Sequence, residues 1–215
     1  MPPSKNAKHR LIVEGKDDKW AVINLLKLHG VDWDHPSEEI PFVAETDSVN
    51  TMLAKESVSV ALKNYSRVGW VLDADVRPTD RWTSIRNLLN DNGLSVPDMP
   101  NPNGTVVDGL QSDGRVGVWL MPDNRSPGIL EDFLAKLVPP ADPCWSIAED
   151  ATEEALQLKT GIEEKDRAKG IIHGWLAWQK EPGLPFGTAL TARILRHDSP
   201  EGNGFAAWFK RLFIS

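Results

Sequence analysis

The sequence predicts an α/β fold: a mostly parallel central sheet flanked by helices, with a helical part at the C-terminal end. Three observations predict it. First, Val68-Gly69-Trp70-Val71-Leu72 is a continuous apolar run that ends in Asp73-Ala74-Asp75. Such a run is what a strand covered on both faces looks like, and strands of that kind belong to parallel sheets. Second, strand-like and helix-like segments alternate through residue 92 with short connections, an order that calls for right-handed crossovers. Third, composition shifts at Pro139-Pro140, and from Trp145 onward only helical patterns follow.

Residues 1–8 read as a loose arm. A short strand at 9–13, with Leu11-Ile12-Val13 at its centre, ends in Glu14-Gly15. Lys16-Asp17-Asp18 opens a helix, with acids in the first turn where the helix dipole favours them. Trp20, Ala21, Ile23, Leu25, Leu26 and Leu28 give that helix its apolar positions, and Gly30 stops it. A loop containing Pro36 leads to a strand at 40–44. Ser48 caps a helix expected to run to residue 64. The strand into Asp73 comes next, then a helix from residue 78 to 92 with Trp82, Ile85, Leu88 and Leu89 on one face. Segments 105–110 and 115–121 are strand-like and joined by Ser112-Asp113-Gly114, a hairpin signal. Residues 128–138 read as a short helix. Four helical segments follow, near 145–160, 163–180, 188–195 and 204–213. The organisation expected is an α/β domain over residues 1–138 and a helical extension packed on it over 139–215.

Composition narrows the function classes. The 215 residues are 40% hydrophobic and 26% charged, ordinary values for a globular protein. Cys144 is the only cysteine, which leaves no disulfide framework and no zinc cluster and fits a reducing, cytoplasmic setting. No apolar run is long enough to span a bilayer, so no membrane partner is expected. The basic start is not followed by an apolar run, so no signal peptide is expected. A net charge of −7 counts against tight autonomous binding to DNA. It is compatible with a small site that takes one phosphodiester through metal ions, because bound cations invert the local charge.

Three groups of acids stand at predicted strand ends or helix starts: Glu14 with Asp18, Asp73 with Asp75, and Glu131 with Asp132. In a parallel sheet the carboxyl ends of neighbouring strands share one edge, so these groups can converge there. Clustered carboxylates repel unless protons or a cation neutralise them, and hard oxygen donors suit Mg²⁺ or Mn²⁺. Each acid also has an ordinary explanation: Asp73 and Asp75 as the start of a turn, Glu14 as an exposed strand end, Asp18, Glu131 and Asp132 as first-turn helix acids.

Glu14-Gly15-x-x-Asp18 after the first strand, with Asp73-x-Asp75 after a later one, resembles the TOPRIM domain. That Rossmann-like domain is shared by topoisomerases, primases and the OLD-family nucleases. The resemblance covers roughly residues 9–135. It implies that Asp73 and Asp75 bind the divalent metal and that Glu14 is a general acid/base or an added ligand. Glu14 and Asp18 also look like the paired acids of OLD-type nucleases, which use two metal sites. Pro127-Gly128-x-Leu130-Glu131-Asp132 and Lys169 are similar to elements of small bacterial TOPRIM-only proteins. They imply that Glu131 and Asp132 join the metal set and that Lys169 is the cation facing developing charge. The departures matter too. The only tyrosine is Tyr65, just before the strand into Asp73, which argues against topoisomerase chemistry. No zinc ribbon and no P-loop is present, which argues against a primase and against a complete OLD protein. The expectation is a Mg²⁺- or Mn²⁺-dependent, nuclease-like hydrolase acting on DNA or RNA phosphodiesters or on a nucleotide, aided by a protein partner that supplies DNA binding. The alternative is a non-catalytic regulatory module that binds a nucleotide or a partner, within a phage-defence system as OLD relatives suggest.

Overall fold

In the computed structural model, which describes residues 6–46 and 48–214, five strands form one sheet in the order β2-β1-β3-β5-β4. The strands are β1 His9–Val13, β2 Phe42–Glu45, β3 Arg67–Asp73, β4 Thr105–Asp108 and β5 Arg115–Met121. All neighbours are parallel except β4, which runs antiparallel to β5. The fold is the expected α/β class with a Rossmann-like, mostly parallel sheet. Most of the expected N-terminal arm, residues 1–5, lies outside the described residues.

The chain steps from β1 outward to β2 and then crosses back over β1 to β3. The strand order therefore reverses between β1 and β3, the place where open α/β sheets form a crevice beyond their carboxyl ends. β3 is buried along almost its whole length because both faces are covered. Successive side chains of a strand alternate between faces. Leu11, Val13, Val71, Trp119 and Met121 face one core, and Val68, Trp70, Leu72, Val118 and Leu120 face the other.

The second core is covered by α3 (Lys55–Asn64) and α4 (Pro78–Asp91), through Val58, Leu62, Trp82, Ile85 and Leu89. The first is covered by α1 (Lys16–Leu28), α5 (Leu130–Ala135), α7 (Arg167–Ala177), α8 (Phe186–Thr191) and α9 (Pro200–Phe213). Alongside α7 packs α6 (Pro143–Gln157). Helix α9 lies directly on the sheet. Gly69 and Gly117 are register partners on β3 and β5, and a Cβ on either would come within 2.8 or 2.4 Å of a Leu212 methyl. The glycine pair is a notch that seats Leu212. Trp208 anchors the same helix by donating its indole N–H to the Thr105 carbonyl at 3.1 Å.

Several segments differ from the expected bounds, and three of them do so for a clear local reason. The helix expected over 48–64 is split into α2 (Val49–Met52) and α3 by an extended Ala54. A continuous helix would set Met52 and Val58 about 120° apart around its axis. The break lets both reach the same core. The helix expected over 128–138 shrinks to Leu130–Ala135, because Gly128 pairs with Asp75 and Ile129 caps the helix. The strand expected over 105–110 stops at Asp108, where Gly109 donates its N–H to the Gly114 carbonyl at 2.8 Å and closes the hairpin.

Candidate functional site

The carboxyl edge of the sheet gathers acids from four segments. Glu14 follows β1 directly, and its Oε1 accepts the backbone N–H of Asp73 at 2.9 Å. This bond spans the β1–β3 crevice and fixes the Glu14 side chain over the end of β3. Asp18 is buried in the first turn of α1, where its Oδ2 accepts the Gly15 N–H at 3.1 Å. Asp73 is the last residue of β3, in register with Met121 of β5. Its Oδ1 is buried with no hydrogen-bond partner. Glu131 enters from the first turn of α5.

Burial first, and then neighbouring charge for Asp73 and Asp18, raises the pKa values of these groups. Burial, reinforced by the charges of Asp18, Glu14 and Glu131, pushes the Asp73 carboxyl up to about 9. Burial and then the Glu14 charge push Asp18 up to about 7. Glu14 is raised by burial, against the opposing pull of the Asp73 N–H and the Arg81 guanidinium. Glu131 is raised by burial, while its own backbone hydrogen bond and the positive fields of Lys169 and His173 oppose the rise. At neutral pH this edge cannot hold all four carboxylates ionised without a compensating cation.

The other two expected acids are engaged elsewhere. Asp75 has a left-handed backbone (φ 53°), and its N–H and C=O exchange hydrogen bonds with Gly128 at 2.9 and 2.8 Å. Its carboxylate is ion-paired with Arg81, whose Nε also donates to the Asp73 carbonyl at 3.0 Å. Asp132 turns back to cap its own helix, accepting the Ile129 N–H at 2.9 Å. Among the described residues no three His, Cys, Asp or Glu side chains form a ready-made metal site. The physical reason is visible: Asp18 and Asp132 face helix-capping donors, and Asp75 faces Arg81.

Lys169 lies on α7, half-exposed, with its Nζ 3.9 Å from Asp166. One helical turn on, His173 is exposed and stacks on Phe186 at a centroid distance of 5.0 Å. The Lys169 charge acts on Glu131, so α7 presents a positive group to the acidic edge from the C-terminal part of the chain. One contributor, Arg81, escapes the sequence reading, in which His173 is structural. Arg81 carried a readable signal, because Arg77 and Arg81 sit near the start of a helix whose dipole disfavours cations. His173 sits four residues after Lys169, and only the packing of α7 beside α5 brings it to the site.

Tyr65 takes no part in this edge. Its hydroxyl accepts from Arg10 at the opposite end of the sheet.

The fold and site together define an α/β protein with an acidic crevice at the strand-order reversal. The chain belongs to the family described as "Protein of unknown function (DUF3226)", whose profile matches residues 8–214. Comparison with curated proteins and with solved structures returns no match. No helix among the described residues is long and apolar enough to cross a membrane.

Proposed function

We propose that the protein is a Mg²⁺- or Mn²⁺-dependent, nuclease-like phosphoryl-transfer enzyme of the TOPRIM class, acting on phosphodiesters. The single observation that carries this reading is Asp73: a buried carboxylate with one oxygen lacking any partner, among three further acids at the mouth of the β1–β3 crevice. An orphaned buried oxygen is a costly arrangement, and an oxygen-rich set without sulfur fits a hard divalent cation. Asp73, Asp75 and Glu131, with Asp18 behind them, would hold it. When bound, the cation would act as Lewis acid toward the phosphate and lower the pKa of a bound water.

The chain's own residues supply the rest. Glu14 is held over Asp73 by its hydrogen bond to the backbone, and burial raises its pKa, which suits a carboxyl that moves a proton. Lys169 offsets negative charge beside Glu131, so charge that builds on a phosphate would be met by a cation. Arg81 holds Asp75 and must yield that carboxylate for it to join the set.

The test uses purified protein, end-labelled DNA and RNA, and added Mg²⁺ or Mn²⁺. Metal-dependent cutting is expected in the wild type and lost in Asp73→Ala and Asp75→Ala. Cutting that survives both substitutions sinks the assignment.

The pairing of Asp75 with Arg81 favours a second reading, a non-catalytic module that binds a nucleotide or a protein partner. Calorimetry separates the two. A protein with no affinity for either cation supports the module and contradicts the enzyme.

A further inference from the structure

A second feature lies on the outer face of α1, against the edge strand β2. A cleft of about 370 Å³ is lined by Trp20, Ile23, Trp33 and Phe42, with Lys19 near one end and Lys27 near the other. The volume is that of a small-molecule pocket, and the lining has the usual make-up of one: aromatic walls with a few charged groups at the margin. Trp20 is 48% exposed, a large apolar surface left open to solvent. Trp33 is 4% exposed, and its indole Nε1 has no hydrogen-bond partner. Lys19 lies 6.0 Å from the Trp20 ring and 5.8 Å from the Phe42 ring.

We propose that this aromatic cleft between α1 and β2 is a nucleotide-binding site that takes one unpaired base, with flanking phosphate on its lysines. The proposal rests on the phosphoryl-transfer reading for its choice of a nucleotide. Three features favour that ligand. A flat ring stacks on an exposed indole whatever its sequence identity. Lys19 and Lys27 are eight residues apart on one helix, about 12 Å along its axis, so cations stand at both ends of the ring's seat. Their present partners are carboxylates, Glu45 at 3.4 Å and Asp34 at 3.2 Å, and such pairs at the surface are weak enough for a phosphate to replace them. The position is consistent with use by the acidic crevice. Lys19 directly follows Asp18 on α1, so one helix carries both the crevice acid and the near end of the cleft. In a chain of net charge −7, a local seat of this kind is what would hold a polyanion near the acids.

The experiment is fluorescence anisotropy in EDTA, with a fluorescein-labelled thymidine oligonucleotide and the full chain. Wild type is expected to bind saturably, Trp20→Ala to bind roughly tenfold more weakly, and Trp20→Phe to recover most of the affinity. Trp20 is at the surface, so its variants should fold, and circular dichroism checks that. Competition by free thymidine monophosphate would identify the mononucleotide as a sufficient ligand. Binding of the oligonucleotide without such competition would make a strand the ligand. Either result supports the site. Equal affinity in wild type and Trp20→Ala overturns it, as does no binding of either probe. So does an acidic, tryptophan-containing peptide binding where no nucleotide does, which would give the cleft to a protein partner. Because the readout needs no metal, oligonucleotide binding without any Mn²⁺-dependent cutting sinks the enzyme and leaves the cleft standing.

Discussion

The two ends of the central strands both bury charge, and they handle it in opposite ways. At the amino ends the charges are cationic, and each has hydrogen-bond or ring partners. Arg67 donates from its backbone to His9 Nδ1 at 3.2 Å and from its guanidinium to the Phe213 carbonyl. Arg10 sits over the rings of Phe42 and Tyr65, at 4.8 and 4.3 Å, and donates to the Tyr65 hydroxyl. His9 avoids a further charge by staying neutral: burial first, then Arg67 and Lys8, hold its pKa down to about 4. At the carboxyl ends four acids share one crevice, with an oxygen of Asp73 unpartnered and the pKa values driven up. Buried polar groups that serve stability are paired. A buried oxygen left without a partner stores free energy that a ligand can release, so under the proposed function the amino end would hold the fold and the carboxyl end would do the chemistry.

The largest effect that would break this contrast is at Asp73. In Asp73→Asn, metal-dependent cutting should fall by about a hundredfold or more, while the protein remains folded by circular dichroism.

Next comes pH. Carboxyls with raised folded-state pKa values contribute stability that is fully present below their unfolded values, near pH 4. It is lost as the pH climbs through about 7 for Asp18 and about 9 for Asp73. Thermal melts should therefore show the wild type losing stability relative to Asp73→Asn between pH 5 and 9. At pH 8 the variant should gain about 2 kcal/mol, or roughly 4 to 8 °C in melting temperature. Added Mn²⁺ should raise the wild-type melting temperature more at pH 8 than at pH 5. A pH-independent difference between the two proteins would show that the acids do not feel one another.

A smaller and opposite effect is expected at the amino ends. Arg67→Met removes the bond to the Phe213 carbonyl and should cost about 1 to 2 kcal/mol in denaturant melts, with cutting per folded molecule unchanged. Reduced cutting at full folding would erase the division between the two ends.

The smallest effect concerns Arg81. If its hold on Asp75 competes with a cation, Arg81→Gln should bind Mn²⁺ about threefold more tightly by calorimetry. Weaker binding would make Arg81 a positioning residue for the acids.

Much of the fold was legible from particular residues. The run from Val68 to Leu72 is buried on both faces, as its lack of alternation implied. The first helix ends at Leu28, just before Gly30, whose φ of +86° explains the stop. The break at Ala54 was not legible. Local propensity there is unremarkable, and only the shared core of Met52 and Val58 requires the turn. Within the site, the positions of Glu14 and Asp73 beside one another follow from two strand ends in a parallel sheet. The orientations of Asp18, Asp75 and Asp132 do not, because each depends on which donor packing brings closest: Gly15 N–H, Arg81 or Ile129 N–H.

The sequence by itself determined the alternation of strands and helices and the edge at which the acids emerge, since side-chain period and the order of elements along the chain are local properties. Tertiary structure alone decided how the remote parts meet. It set Leu212 of α9 in the Gly69–Gly117 notch and packed α7, which carries Lys169, beside α5, which carries Glu131. It also left a cleft between α1 and β2. Those contacts join residues far apart in the chain, and their geometry is set by how two packed surfaces fit, which no local pattern encodes.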